Sequence, residues 1–169
     1  MDKYYYLIAQ LPELTFGEEP DISKNSFLEE AGKWLSFSDL KNLREAELDN
    51  LREPHENGML KRYFDFEQSL RSELAEYRRS RGGEKKEHRS RLVLSADLLE
   101  GNPLEVEKKL FFLRWQMIED IAAGHVFSRE AVFAYFLRLQ ILCRMSEFNK
   151  EKGKEEFNKL IEVKDEQIR

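Results

Sequence analysis

Apolar positions recur at three- and four-residue intervals along most of the chain, which predicts helices. The clearest run spans 59–79, where Tyr63, Phe66, Leu70, Leu74 and Tyr77 form one stripe. Arg62, Asp65, Glu73 and Glu76 fall on the other side and read as a solvated face. A second strong pattern begins at Asn102, a cap, with Pro103 at the first helical position. It carries Leu110, Phe111, Leu113, Met117, Ile118 and Ile121, and Trp115 widens its apolar face. Gly124 suits a left-handed helix stop after Ala123. Ser128 then opens a helix over 129–148 with Val132, Phe133, Tyr135, Phe136, Leu137, Leu139, Ile141, Leu142 and Met145. Apolar residues surround most of its circumference, so it is expected to be the central, most buried helix.

Shorter patterns flank these. Ser23 caps a helix carrying Phe27, Leu28, Ala31, Trp34 and Leu35. Ser38 or Asp39 caps a brief one with Leu40, Leu43 and Leu48 inward. A narrow stripe of Phe157, Leu160, Ile161 and Ile168 predicts a last, surface-packed helix over 151–166. The chain start is unusual: Lys3-Tyr4-Tyr5-Tyr6-Leu7-Ile8-Ala9-Gln10-Leu11 is apolar where chain ends are usually polar. Its aromatics favour a strand, but no second strand is evident, so 4–11 reads as a short helix docked on one of the two long apolar helices. Residues 12–21 form a loop marked by Pro12, Gly17 and Pro20. The segment 92–99 reads as a short helix or an extended stretch. The expected fold is all-α, a single-core multi-helix bundle in one domain over 1–169. Front helices occupy 1–80, a charged loop 81–91, and core helices 92–169.

Composition sharpens this picture. Of 169 residues, 41% are hydrophobic and 36% charged, the balance of a helical body with a heavily charged surface. The net charge of −5 argues against a general nucleic-acid binder, which must neutralise phosphates. Cys143 is the one cysteine, so no intramolecular disulfide forms, consistent with a reducing cytoplasm. No run approaches the length of about 18 apolar residues that a membrane span needs. The start of the chain also lacks a basic segment before its apolar run, unlike a secretory leader. The expected location is the cytoplasm, at the membrane only peripherally through a complex.

Candidate chemistry is sparse. His55, His88 and His125 fall in turns or the charged loop, with no partner at metal-ligand spacing. Cys143 sits in the most apolar helix without a histidine nearby, as an inert buried thiol does. No Walker loop, dinucleotide fingerprint or nucleophile elbow occurs. The reading is therefore a non-enzymatic protein without cofactor or metal. Arg114 and Arg138 interrupt apolar helices. Each is either a buried contact for an anion or partner, or a structural pair with Glu107, Glu119 or Asp120. The basic run Arg78, Arg79, Arg81, Lys85, Lys86, Arg89 and Arg91 is a solvated loop or a contact for an acidic partner. It lacks the aromatics that stack nucleic-acid bases. Candidates for partner contact are thus Tyr5, Arg78, Arg79, Arg81, Lys85, Lys86, Arg114 and Arg138.

Two stretches carry a resemblance. The first is Tyr4-Tyr5-Tyr6-Leu7-Ile8-Ala9-Gln10-Leu11-Pro12-Glu13-Leu14-Thr15-Phe16-Gly17, followed by Phe27-Leu28. The second is Asn102-Pro103-Leu104-Glu105-Val106-Glu107, then Leu113-Arg114-Trp115 and Gly124-His125-Val126-Phe127-Ser128. It ends on Ala134-Tyr135-Phe136-Leu137-Arg138-Leu139-Gln140-Ile141-Leu142. Together they resemble a poorly characterised bacterial family associated with V-type ATPases. That family is similar in turn to the socket protein of the V/A-type ATPase central stalk, of which it looks like a short, remote relative. The resemblance covers both ends of the chain but not its charged middle. It implies an all-α, non-catalytic subunit or accessory protein of a V-type ATPase or ATP synthase, with other ATPase subunits as partners. The central-stalk socket is a funnel of helices between rotor shaft and membrane ring, and the chain is shorter than a full one. The residues alone leave a second reading, a helical adaptor or assembly chaperone that binds an acidic protein.

Overall fold

The helices follow the apolar periodicity. The computed structural model describes residues 3–48, 58–81, 94, 96–148 and 158. Its helices are α1 (Lys3–Gln10), α2 (Lys24–Trp34), α3 (Phe37–Glu45), α4 (Met59–Arg81), α5 (Pro103–Ala122) and α6 (Arg129–Ser146). A 3₁₀ turn, Ala96–Leu99, precedes α5. No strand occurs among the described residues, so the fold is all-α. The expected helix over 151–166 and the expected loop over 81–91 lie outside the described residues, apart from Asn158, which is helical, and Arg81, which closes α4 rather than opening the loop.

Helix starts obey capping chemistry. The Ser23 and Ser128 hydroxyls accept from Ser26 N–H and Ala131 N–H, as expected for caps. Asn102 and Glu105 form a reciprocal capping box, with Pro103 just inside it. The cap of α3 is Ser36 rather than Ser38 or Asp39. Asp39 occupies the third helical position instead, where its N–H reaches the Ser36 hydroxyl. After α5 the chain turns through Gly124 at φ +84°, a conformation that costs a side-chain-bearing residue energy.

Helix α6 is the centre of the bundle. Val132 to Leu137, Leu139, Ile141 and Leu142 are all buried. Phe27 of α2 stacks on Phe136 at 5.3 Å between ring centroids, and also on Tyr135. Helices α1, α2, α3, α4 and α5 all contact α6. Gln140 is the buried polar exception on this helix. Its side-chain amide donates to Ala46 C=O at 2.9 Å and accepts from Leu48 N–H at 3.0 Å. Both are backbone groups just past α3 that would otherwise lack partners in the interior.

The buried apolar residues do not form one undivided core. A main cluster joins α1, α2, α3, α5, α6 and the start of α4. A smaller one, centred on Leu70, Leu94 and Leu110, joins the later part of α4, the 3₁₀ turn and the start of α5. The α4 stripe is inward as expected, with Tyr63 and Leu70 fully buried. Its supposed solvated face needs a correction at Glu73, which is buried and accepts from Leu94 N–H at 3.1 Å. Glu67 is buried as well.

Candidate interaction surface

Helix α1 splits its aromatic residues between two faces. Tyr4, Leu7, Ile8 and Leu11 share the main cluster at helical spacing, and Leu7 is fully buried. Tyr5 and Tyr6 therefore point outward, 46% and 53% exposed. The helix docks on α6, as expected for the chain start, and also on α2, which the apolar pattern does not indicate.

Two polar ties fix α1 in place. Tyr4 O–H donates to Asp39 Oδ2 at 2.9 Å, and Ser36 O–H donates to the same oxygen at 2.6 Å. Arg129 Nη1 lies 3.7 Å from Asp39 Oδ1, so the starts of α1, α3 and α6 meet at one carboxylate. Burial, reinforced by the Asp39 bond and charge, pushes the Tyr4 hydroxyl up to about 12. Beyond α1, Tyr135 O–H donates to Pro12 C=O at 2.9 Å and holds the exit of the helix on α6.

The outward tyrosines join a row of rings. Tyr6 stacks on Trp34, the last residue of α2, at 5.4 Å and 18° between planes. Tyr5 meets Tyr6 edge-on at 5.7 Å and Phe127 at 4.8 Å. Phe127 is 50% exposed and its neighbour Val126 is 64% exposed. Trp34, Tyr6, Tyr5 and Phe127 thus form a continuous aromatic strip on the molecular surface. Phe37, which opens α3 two residues before Asp39, is 87% exposed. Single exposed apolar residues are ordinary. Three contiguous half-exposed rings, backed by the partly buried Trp34, have the composition found at protein–protein interfaces.

Two carboxylates close to the strip residues in sequence, Glu30 and Glu130, are engaged within the chain. Glu30 binds Lys33 and accepts from Trp34 Nε1–H at 3.2 Å. Burial pushes the Glu130 carboxyl up, but its own backbone N–H, the Ser128 hydroxyl, Arg129 and His125 outweigh this and hold it below the usual range.

The other candidates are placed differently. Arg114 is enclosed and committed: its Nε and Nη2 donate to Glu67 at 2.9 and 3.0 Å in a bidentate pair. That partner is on α4, not among Glu107, Glu119 and Asp120. Arg138 lies over the Trp115 ring, 5.4 Å from its centroid, and 3.7 Å from Glu119, one of the expected partners. Burial lowers its pKa, against the pull of Glu119 and Tyr135. Arg78 and Arg79 are exposed near the end of α4, far along the chain from the strip. The side chains of Arg81, Lys85 and Lys86 lie outside the described residues. Of the sequence candidates whose side chains are described, only Tyr5 belongs to the strip. Nothing in the apolar pattern singles out Trp34, Tyr6 or Phe127 as its other members, although the 4-7-8-11 spacing in α1 separates inward from outward rings.

Among the described residues, no group of three or more His, Cys, Asp or Glu is placed to hold a metal ion. No helix there is long and apolar enough to cross a membrane. Residues 91–168 match the model of a family described as "Protein of unknown function (DUF2764)". Neither the curated proteins nor the solved structures contain a match to the chain.

Proposed function

We propose that the chain is a non-catalytic helical subunit that binds a protein partner through the Trp34–Tyr6–Tyr5–Phe127 strip. The observation that carries this reading is the continuous row of four rings, three of them half-exposed and Trp34 partly buried against the core, on a firmly anchored scaffold. Aromatic side chains supply large contact area with few rotatable bonds, and tyrosine adds a hydroxyl for hydrogen bonding. Anchoring matters equally. A helix held by the Tyr4–Asp39 bond, with its exit held by the Tyr135–Pro12 bond, loses little freedom when a partner arrives.

The resemblance of the chain start and the later helices to a V-type ATPase-associated family directs the choice of partner. A structural or coupling role in a bacterial V-type ATPase, like that of the central-stalk socket, requires rigid helices and contact surfaces rather than a reactive constellation. Tagged protein purified gently from its host is expected to recover the subunits of the ATPase head. The double variant Tyr5→Ala/Phe127→Ala is expected to lose them while keeping its helical circular dichroism. Intact complexes that never appear with the tagged wild type would rule out the ATPase assignment. Undiminished recovery by the double variant would rule out the strip as the contact.

A further inference from the structure

Helices α5 and α6 each carry an arginine within an apolar stretch, and the two are served differently. Arg114 donates twice to Glu67 and is satisfied. Arg138 has no such partner: among the described residues none of its N–H groups is hydrogen-bonded, and its Nε is enclosed. Its Nη1 lies 3.7 Å from Glu119 Oε1, beyond hydrogen-bond distance, and that oxygen already accepts from Trp115 Nε1–H at 2.8 Å. The Trp115 ring, 5.4 Å from the guanidinium carbon, attracts the charge but offers no lone pair to its N–H groups. A charge held half out of water without a hydrogen bond costs stability. The side chain is still 27% exposed, so an acceptor can reach it from solvent.

Rings adjoin this arginine. Phe16 meets the same Trp115 at 5.5 Å between centroids and Phe112 at 5.0 Å. Trp115 is buried, whereas Phe112 is 45% exposed although it lies inside α5. Phe16 is placed by a turn in the 12–21 loop. Glu18 N–H donates to Thr15 C=O at 3.2 Å, and Gly17 takes φ +90°. Arginine and aromatic residues are the types enriched among those that dominate binding energy at interfaces. All of these residues are described ones, and none belongs to the Trp34–Phe127 strip.

We propose that Arg138 and the Phe112–Phe16 pair form a second contact surface, which takes an acidic side chain of a protein partner together with a neighbouring apolar one. The carboxylate accepts from the Arg138 guanidinium and supplies the hydrogen bonds that the chain itself withholds. The apolar side chain covers Phe112. Glu119 beside the guanidinium and the net charge of −5 oppose a polyanion such as nucleic acid, and they weaken the hold on a small free anion. Ring packing must therefore supply part of the binding, which selects a peptide segment over an ion. The surface is separate from the strip, and its test does not depend on the strip having a partner.

Titration of the ¹⁵N-labelled full chain tests it, with acetyl-Phe-Glu-Phe-amide, acetyl-Phe-Gln-Phe-amide and sodium acetate as probes. The Glu peptide is expected to shift the Trp115 Nε1–H and Arg138 Nε–H signals. It should bind at least about tenfold more tightly than the Gln peptide or acetate, the worth of one charge-assisted hydrogen bond. In Arg138→Gln the two peptides should bind alike, while the urea midpoint stays level or rises, because an unsatisfied charge has left. Phe112→Ala should weaken both peptides in parallel without moving the midpoint. Wild-type protein that binds the two peptides equally, or binds neither up to millimolar concentration, would overturn the proposal. Acetate that binds as tightly as the Glu peptide would reduce the surface to an ion site and overturn it too. Undiminished discrimination in Arg138→Gln would assign the arginine to the scaffold alone, with the same consequence.

Discussion

Glu67 carries a carboxylate into the interior, with its side chain 5% exposed. Three donors make this tolerable: Arg114 Nε and Nη2, and Arg71 Nε. Burial would lower the Arg114 pKa, but the bonds and charge of Glu67 outweigh it, so the guanidinium is held charged. Removing one partner of a buried pair strands the other. Arg114→Met is therefore expected to cost about 3–5 kcal/mol, read as a lower midpoint in urea unfolding. Tyr63 offers the reverse case. It is fully buried and its hydroxyl has no partner among the described residues. Tyr63→Phe should be neutral or stabilising by up to about 1–3 kcal/mol, whereas Tyr135→Phe, which loses the Pro12 bond, should cost about 0.5–1.5 kcal/mol. The tyrosines also set an alkaline limit. Burial raises Tyr63 above its ordinary value, and pushes Tyr4 and Tyr135 from 10.0 up to about 12. The folded state then holds protons that the unfolded chain releases. This contribution is fully present below the unfolded pKa near 10 and is lost as pH rises toward 12. Melting temperature should fall across that window, and Tyr4→Phe should flatten the fall.

Helix α1 shows what an element of eight residues needs in order to persist at the start of a chain. Isolated helices of this length are unstable in water. Leu7, sealed against the bundle, supplies the anchor, with Tyr4 and Ile8 beside it. Leu7→Ala should cost about 2–5 kcal/mol, and removing the residues before Pro12 should lower the melting temperature of the whole bundle. An unchanged melting temperature in both variants would mean that α1 is dispensable to the fold. At this scale the sequence is informative wherever one period dominates. The stripe of α4, the Asn102–Pro103 start and the encircling apolar pattern of α6 each mark a helix that the structure contains. It misleads where polar residues serve the interior. Glu73 reads as solvated because periodicity records only polarity, and its acceptor role depends on where Leu94 returns to α4. The cap of α3 falls two or three residues before its expected place, Ser38 or Asp39, because Ser36, Ser38 and Asp39 are all competent caps. The strip is legible only in Tyr5. Phe127 precedes the Ser128 cap, a position usually taken by a residue stapled to its own helix, and Trp34 has the helical spacing of a core residue.

In the molecule as a whole, stability and surface are separated in space. Phe136 lies at the centre, stacked on Phe27, while Phe127 lies nine positions earlier in the chain and half in water. Phe136→Ala removes a ring from a close-packed site and should cost about 3–5 kcal/mol, a large part of the stability of a typical domain. Phe127→Ala removes a ring of the same size from the surface and should move stability by no more than about 0.5–1 kcal/mol. The comparison matters because both changes can abolish partner recovery. In the first case, loss would follow the melting temperature and be restored by cooling or by a stabilising change elsewhere. In the second, it would occur in a chain that melts normally. Measuring unfolding midpoints and partner recovery on the same two variants therefore distinguishes a damaged scaffold from a damaged contact. A Phe127→Ala protein that melts like the wild type and still recovers the wild-type partners would assign no binding energy to that end of the strip.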